Sequence, residues 1–341
     1  MKNSLAIAGA VVAALVLGGC GKTTPITSGT PSPSPTFVPY VSNEYPVPTA
    51  NALPAGITKT STALWFTEEN ADAIATLSQS ATITEYPVPT AGSKPLSIAW
   101  GQDGNLWFTE FAGQKIGRIS QSGGAFLECT LPVEGGLTPT PFGITAGPDG
   151  NLWVTDPGAN GIWRVTTACV ATFYPLTTAN AGPQSITIGP NGALWFVENT
   201  ADKIGEIFPN ATAGSSPAEF TGLTANAGPA VIVAGTDSAL WFTETKSDKL
   251  ARMLTTGTLA SEAALPGVKA PYGLTQGTDG NFYVGDSTGS TIAQFVPSTG
   301  AVKTYATKST SAGVNALTLG PDNEVYFTES TANNVGQFRY F

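Results

Sequence analysis

The 341-residue chain contains no histidine. This absence removes the usual general base near neutral pH, the commonest metal-ligating side chain, and every Ser-His or Cys-His nucleophile. Charged residues are also scarce, at 11% of the chain, against roughly 25% in an ordinary soluble domain. The sequence therefore excludes enzymes whose mechanism depends on imidazole.

Basic residues are few as well. The 15 Lys and Arg stand against 24 Asp and Glu, which gives a formal net charge of −9. A surface of this charge repels phosphate backbones, so we expect no nucleic-acid partner. Hydrophobic residues make up 41% of the chain, which is enough to fill a large core, so most of the chain is expected to fold.

The first residues read MKNSLAIAGAVVAALVLGGC and have the features of an export signal. Lys2 precedes an apolar run, Leu5 to Leu17, that is shorter than the roughly 20 residues of a membrane-spanning helix. The ending Leu-Gly-Gly-Cys resembles the signal of bacterial lipoproteins, and this resemblance implies lipidation of Cys20. We predict a lipoprotein signal peptide at 1–19; the alternative is an ordinary signal peptide with an incidental cysteine.

The stretch that follows Cys20 is rich in Pro, Ser and Thr and has almost no apolar content. This composition predicts a semi-extended tether over residues 20–40. Acyl chains on the cysteine would hold the protein on a membrane. The sequence thus predicts a location in the cell envelope, lipid-anchored and on the extracytoplasmic side.

One pattern recurs seven times, and its clearest copy is DGNLWFTE at 103–110. The central aromatic residues are spaced by 42 to 46 residues and are Trp65, Trp107, Trp153, Trp195, Trp241, Tyr283 and Tyr326. Most copies follow a hairpin signal such as Asp-Gly, and each copy is typical of a strand that is apolar on both faces. Four strands per repeat, repeated radially, are typical of a β-propeller.

The two ends of the chain are predicted to complete one blade. After Glu329 the last repeat supplies only its third strand, and the missing outer strand is found at 43–48. Pairing the two segments closes the ring and hides sheet edges. We therefore predict an all-β fold: a seven-bladed β-propeller of four-stranded blades over 41–341, closed by an N-terminal outer strand against the C-terminal blade.

Two cysteines lie within the predicted propeller. Cys129 and Cys169 are 40 residues apart, a separation close to the repeat period, so they can face each other across adjacent blades. An oxidising compartment permits their pairing. The sequence leaves two possibilities open: a disulfide, or two buried thiols.

The repeat DGNLWFTE, followed by KIGRI and TEYPVP, resembles that of the streptogramin lyase (virginiamycin B lyase-like) family over roughly residues 41–341. The resemblance implies a seven-bladed fold. In true lyases it also implies magnesium-assisted opening of a cyclic depsipeptide ester by elimination. The general base of that family is a histidine in a Pro-His-Gly-type turn that opens an inner strand. Glutamates nearby and at the end of the aromatic strand hold the metal.

This chain departs from the family pattern at the turn. The equivalent positions, blade by blade, are Ala55, Leu96, Phe142, Gln184, Ala230, Tyr272 and Asn315. None of these residues is histidine or acidic. In the last blade, where the resemblance implies a glutamate two residues before the histidine, the chain has Gly313 and Asn315. The resemblance thus extends to the fold but not to the catalytic base.

The residues of this turn column differ from blade to blade, which makes them candidates for ligand binding. Phe142, Gln184, Tyr272 and Asn315 are predicted to line one mouth of the channel, where they would offer stacking and amide hydrogen bonds. The alternative is that these side chains only plug the channel.

An acidic residue ends every aromatic strand. The set is Glu68, Glu110, Asp156, Glu198, Glu244, Asp286 and Glu329. One interpretation is a metal site for Mg²⁺ or Ca²⁺, which prefer carboxylate ligands, with Glu244, Asp286 and Glu329 as candidates. The other is structural, with each carboxylate accepting backbone N–H bonds in the loop of its own blade. Recurrence in all seven blades favours the structural interpretation.

These observations favour a lipid-anchored, extracytoplasmic propeller that binds a ligand and has no lyase chemistry. Its expected partner is a small molecule or an envelope or extracellular protein; no cofactor is expected, and the chain is expected to be a monomer. The alternative is a Mg²⁺-dependent lyase or hydrolase acting on a cyclic ester or depsipeptide, with carboxylates and Tyr272 or a lysine as base. A purely structural role in the envelope is the third hypothesis.

Overall fold

The computed structural model describes residues 37–341. In that range, 28 strands form seven four-stranded antiparallel sheets, and there is no helix that could cross a membrane. The innermost strand of each sheet contacts the innermost strands of the two neighbouring sheets, so the sheets are arranged as blades around one axis. This architecture confirms the predicted seven-bladed β-propeller. The predicted signal peptide 1–19, Cys20 and nearly all of the tether 20–40 lie outside the described residues.

In blades 1 to 6 the strands run outward from the axis in chain order, and in blade 7 the first strand of the chain takes the outermost position. The innermost strands of blades 1 to 7 are β2 (Pro54–Lys59), β6 (Pro95–Trp100), β10 (Ile144–Ala146), β14 (Pro183–Ile188), β18 (Pro229–Ala234), β22 (Pro271–Gln276) and β26 (Val314–Leu319). The second strands carry the aromatic pattern and are β3 (Ala63–Glu68), β7 (Asn105–Glu110), β11 (Leu152–Asp156), β15 (Leu194–Glu198), β19 (Ala239–Glu244), β23 (Phe282–Asp286) and β27 (Val325–Glu329).

The two outer positions of each blade are filled in the same order. The third strands are β4 (Ala73–Ser78), β8 (Lys115–Ser120), β12 (Gly161–Val165), β16 (Lys203–Ile207), β20 (Lys249–Leu254), β24 (Thr291–Val296) and β28 (Asn334–Arg339). The outermost strands are β5 (Ile83–Pro87), β9 (Leu127–Thr130), β13 (Ala171–Pro175), β17 (Ala218–Phe220), β21 (Leu259–Ala264), β25 (Ala301–Ala306) and, for blade 7, β1 (Tyr40–Pro46).

Strand β1 closes the ring by pairing antiparallel with β28. The register places Tyr45 opposite Val335 and Val41 opposite Phe338. The strand begins three residues before the predicted segment 43–48 and ends two residues before it does. The predicted closure of the ring by the two ends of the chain is thus confirmed.

The hydrophobic core consists of seven layers, one between each pair of adjacent blades. Between blades 1 and 2, for example, Trp65 and Ile74 pack with Ile98, Leu106 and Phe108. Because each sheet lies between two others, both faces of its second strand are buried. This arrangement explains why the LWFTE segments do not alternate between apolar and polar residues.

The hairpin acid and the aromatic residue four positions later form a hydrogen bond. Asp103 accepts the indole N–H of Trp107 at 3.2 Å, and blades 3 and 5 repeat this bond; in blade 4 the acceptor is the amide oxygen of Asn191, and in blade 7 the donor is the phenol of Tyr326. In blade 6 the phenol of Tyr283 donates to Asp279 at 2.8 Å. Buried indole and phenol groups need such partners, so the spacing in the repeat has a structural cause.

Cys129 and Cys169 form a disulfide, with their Cα atoms 5.2 Å apart. Cys129 lies in the outermost strand of blade 2, and Cys169 lies in the loop that precedes the outermost strand of blade 3. The bond therefore joins two adjacent blades near the rim of the ring. Of the two possibilities that the sequence leaves open, the structure has the disulfide.

Replacing both cysteines by alanine is expected to lower the melting temperature by roughly 5–10 °C. A cross-link over 40 residues restricts the unfolded chain by an amount worth up to about 4 kcal/mol in the loop-entropy model. Differential scanning calorimetry measures the shift. A reductant should shift the parent protein equally and leave the double variant unchanged; a parent insensitive to reductant would contradict the prediction.

Candidate functional site

The inner strands begin at one end of the central channel, and their first residues form a cavity there. It encloses about 620 Å³, open solvent included. The lining residues are Ala55, Gly56, Ile57, Leu96, Ser97, Ile98, Phe142, Gly143, Ile144, Ser185, Ile186, Val231, Tyr272, Asn315 and Ala316. No residue in this set is charged at neutral pH. We call this cavity the channel mouth.

Three of the four predicted ligand-binding residues lie in the channel mouth. Phe142, Tyr272 and Asn315 line it, but Gln184 does not. In blade 4 the neighbouring Ser185 takes the lining position. Among the described residues, no donor reaches the buried Oε1 atom of Gln184. The repeat places all four residues at equivalent positions, but it does not determine which side chain faces the channel.

The threonine that precedes the acid in the repeat holds these lining residues in place. Thr109 donates its hydroxyl to the carbonyl oxygen of Phe142 at 2.9 Å, and Thr243 donates to that of Tyr272 at 2.9 Å. The same hydroxyl of Thr109 accepts the backbone N–H of Ser97 in its own blade at 3.0 Å. Equivalent interblade bonds are made by Thr67, Thr155 and Thr328 to the carbonyls of Leu96, Gln184 and Ala55. The threonine is visible in most copies of the repeat, but the carbonyl oxygen that accepts its hydroxyl lies in the next blade.

A notch beside the channel mouth is lined by two aromatic rings. Phe111 and Phe142 meet edge to face with ring centres 6.2 Å apart. With Leu96 and Glu69 they line a second cavity of about 380 Å³, open solvent included. Lys94 pairs with the Glu69 carboxylate at 3.4 Å, so the charge near the notch is partly neutralised. Because the notch and the channel mouth share Leu96 and Phe142, they form one continuous surface.

Tyr272 is the single ionisable side chain that lines the channel mouth. Burial raises the pKa of its phenol to about 12. An effective general base has a pKa near the working pH, and this phenol stays protonated far above neutrality. The channel mouth therefore offers hydrogen bonds and apolar contacts, but no group that would accept a proton at neutral pH.

The seven acidic residues that end the aromatic strands, which we call the acid column, lie in two kinds of environment. In blade 3, Asp156 accepts the backbone N–H groups of Thr140 and Ala159 at 2.8 and 2.9 Å and the indole N–H of Trp163 at 2.8 Å. In blade 6, Asp286 accepts the backbone N–H groups of two loop residues, both at 3.1 Å. The predicted structural role, fixing loops through backbone N–H bonds, is correct for these two aspartates.

That prediction is wrong for the five glutamates. Within residues 37–341, no donor reaches either carboxylate oxygen of Glu68, Glu110 or Glu198, or the Oε1 atoms of Glu244 and Glu329. Burial is the main cause that raises the pKa of Glu68 and Glu110 to about 8, and that of the other three to about 7. Nearby acids add to the rise.

The three candidate metal ligands are not brought together among the described residues. Glu244, Asp286 and Glu329 belong to three different blades, and the N–H groups of its loop already occupy Asp286. In the described part of the chain, no three His, Cys, Asp or Glu side chains come together in a way that would hold a metal ion. Where the family resemblance implies a metal-binding glutamate, the chain has Gly313. These residues do not fit the ion that the family implies.

Comparison with known proteins places this architecture in a family. The sequence model of the virginiamycin B lyase family matches residues 40–217 and 209–340. A solved streptogramin B lyase is 30% identical, with a TM-score of 0.80 over 87% of this chain and 96% of its own. The virginiamycin B lyase from Staphylococcus aureus is also 30% identical, with a TM-score of 0.80 over 88% of this chain and 99% of its own. Comparison with curated proteins gives no match.

A further structure shows the Staphylococcus aureus enzyme with quinupristin, as a catalytically inactive histidine-to-alanine variant. It is 30% identical to this chain, with a TM-score of 0.81 over 88% of this chain and 99% of its own. The WD40 propeller of Doa1, at 10% identity and a TM-score of 0.69, shares the fold alone. Because the family match covers almost every described residue, the chain belongs to the virginiamycin B lyase family.

Proposed function

We propose that this chain is a lipid-anchored, extracytoplasmic binding protein that holds an uncharged, partly aromatic ligand in the channel mouth and does not cleave it. One observation carries the proposal: the channel mouth has no charged side chain, and its single ionisable group is a phenol with a pKa of about 12. Lining of this kind is typical of ligand sites, which are mostly apolar with a few polar groups that fix orientation.

The absence of a base supports binding without lyase chemistry. The histidine-to-alanine variant of the Staphylococcus aureus enzyme is described as catalytically inactive, and this chain has no histidine at all. The polar groups at the mouth are the hydroxyls of Ser97, Ser185 and Tyr272 and the amide of Asn315. These groups donate or accept hydrogen bonds, but none of them accepts a proton readily at neutral pH.

The lining also indicates what the ligand is made of. A ring placed in the notch against Phe111 and Phe142 would gain about 0.5–1.5 kcal/mol from each aromatic pair, beyond its buried area. The amide of Asn315 would bind an ester or amide group of the ligand. A charged group would be disfavoured, because the mouth has no opposite charge to compensate its loss of water.

Three features support the proposed location. The predicted signal peptide 1–19 ends at Cys20, the predicted site of lipidation, and the Pro/Ser/Thr-rich tether 20–40 follows it. The disulfide between Cys129 and Cys169 suits an oxidising compartment. We propose a monomer with a small molecule as its partner; an envelope or extracellular protein bound at the same face is the alternative partner.

Family membership and the buried Oε1 atom of Glu329, which no donor in residues 37–341 reaches, favour a second candidate function. This candidate is a Mg²⁺-dependent lyase or hydrolase of cyclic esters. This function requires a bound Mg²⁺ ion, although the candidate acids of the described residues are not grouped around one point. It also requires a general base, which the channel mouth lacks. The two candidates make opposite predictions for the fate of a bound cyclic depsipeptide.

Virginiamycin B is the probe that separates the candidates. We expect titration calorimetry to detect binding, and chromatography to recover the cyclic compound intact after incubation with Mg²⁺ or with a chelator. Phe142→Ala is expected to weaken binding by about tenfold or more, because it removes apolar contact worth about 1.5–3 kcal/mol. Linear product that forms only with Mg²⁺ would establish the enzyme instead.

The matched control is Phe208→Ala. Phe208 is 47% exposed and follows the third strand of blade 4, so it does not line the channel mouth. Its removal should leave the affinity unchanged. Equal loss of affinity in both variants would contradict binding in the channel mouth.

A further inference from the structure

Each of the five buried glutamates has a second glutamate in the outermost strand of its own blade. The pairs, inner residue first, are Glu68 with Glu85, Glu110 with Glu128, Glu198 with Glu219, Glu244 with Glu262, and Glu329 with Glu44. The two blades with an aspartate have Phe173 and Thr304 at the outer position instead. An inner glutamate therefore occurs only where an outer glutamate accompanies it.

The outer glutamate holds the loop through which the chain enters the blade. Glu85 accepts the backbone N–H and the hydroxyl of Thr49 at 2.8 and 2.9 Å. Glu128 makes the same two bonds to Thr90, at 3.0 and 2.8 Å. The same arrangement recurs with Glu219, Glu262 and Glu44 on their own entry loops. In blades 2, 4 and 5 these donors, together with a lysine, outweigh the effect of burial and lower the pKa of the outer carboxyl group.

The inner glutamate lies in a different environment. All five are fully buried, and among residues 37–341 no donor reaches either carboxylate oxygen of Glu68, Glu110 or Glu198. A buried anion next to a second anion would lack compensation for its lost hydration.

We propose that Glu68, Glu110 and Glu198, whose carboxylate oxygens no donor among the described residues reaches, are neutral carboxylic acids in the folded protein, so that the ring has three proton-binding sites, each beneath a glutamate-held entry loop. In blade 1, Glu68 lies beside Glu85 and has no donor among the described residues that would stabilise its anion. In blades 2 and 4 the charge of the outer carboxylate disfavours a second anion.

Other charged groups near the glutamate pairs change the pKa of the inner residue. A lysine lies beside the pair in three blades: Lys115 and Lys249 lower the pKa of the inner glutamates of blades 2 and 5, and Lys203 that of blade 4. Each of these lysines also forms an ion pair with the outer glutamate. Asp72 adds a further negative charge beside Glu110. In blade 7, Asn334 donates to Glu329 at 2.9 Å.

The proposal predicts that alkaline pH destabilises the ring. The pKa values of the inner glutamates, about 7 to 8, lie above their ordinary value of 4.5, so the folded chain keeps protons that the unfolded chain has lost. Their contribution is full below about pH 4.5 and is lost as pH rises to about 8. Within this window, each site lowers the equilibrium constant for folding by up to about tenfold for every unit by which the pH rises.

Two measurements on the purified protein test the proposal. Infrared spectra at pH 6 should show the carbonyl band of protonated carboxyl groups, and Glu68→Gln should remove part of it. Denaturant midpoints between pH 5 and pH 9 should fall less steeply for Glu68→Gln than for the parent, because the neutral amide replaces a group that the parent must keep protonated. At pH 8.5 the variant should be the more stable protein.

The matched control is Asp156→Asn. Three donors hold this aspartate, so its amide variant should be less stable than the parent at neutral and alkaline pH. A folded parent without the protonated-carboxyl band at pH 6 would overturn the proposal. So would a Glu68→Gln variant whose midpoint falls with pH as steeply as that of the parent.

Discussion

A chain that begins at residue 50 is expected to be at least about 5 kcal/mol less stable than one that begins at residue 37. The longer chain retains β1, whose pairing with β28 adds several backbone hydrogen bonds worth about 0.5–1.5 kcal/mol each. It also buries Val41 and Val47, which are 6% and 5% exposed. Since natural domains are stable by only about 5–15 kcal/mol, the shorter chain should be close to unfolding. Urea titration followed by tryptophan fluorescence measures the difference.

A pair of point variants tests the pairing of β1 with β28, which we call the seam, without truncation. Val41→Asp places a charge in the buried seam and should lower the urea midpoint strongly. Val38→Asp places the same charge at a residue that is 70% exposed, two residues before β1 begins, and should leave the midpoint within error. If both variants behaved like the parent, β1 would not close the ring in solution.

Replacing Trp163 by alanine is expected to lower the free energy of unfolding by about 3–5 kcal/mol through the lost packing alone. The side chain is fully buried between blades 2 and 3. Its indole N–H also donates to Asp156 at 2.8 Å, so a further loss of about 1–3 kcal/mol follows from leaving that acceptor unpaired. Thermal unfolding at neutral pH measures the total.

Trp163→Phe separates the hydrogen bond from the packing. It keeps most of the ring volume but removes one donor: burial raises the pKa of Asp156, and the indole N–H of Trp163 is one of the donors that oppose this rise. This pKa should rise in the variant, so the loss of stability is present at neutral pH and shrinks as the pH falls and the acid becomes protonated. A loss that does not change with pH would contradict the ionised state of Asp156.

Much of the fold could be predicted because the repeat encodes it locally. The central aromatic residue and the strand that is apolar on both faces recur in each copy, and an Asp stands four residues before the aromatic in five of the seven, since every blade has the same neighbours. Counting outer strands was enough to place the N-terminal segment beside β28, within three residues at its start. The cysteines remained open, because spacing alone cannot show that Cys129 and Cys169 face each other.

The candidate site could be predicted less well, because residues at the same position of the repeat do not all line the channel mouth. Gln184 occupies the same position as Phe142 and Tyr272, yet Ser185 lines the channel mouth in its place. The bond from Thr109 to the carbonyl of Phe142 crosses between blades, and no pattern within a single repeat contains it.

By itself, the sequence determined the ring of seven blades, the closure by both ends, and the absence of histidine chemistry, because these follow from periodicity and composition. Only the tertiary structure decided the chemistry of the acid column. Asp156 is held by donors, whereas Glu68 lies buried beside Glu85. The ionisation of a buried carboxyl depends on the donors and charges around it, and here these come from a loop, a third strand and an outermost strand that the sequence places many residues away.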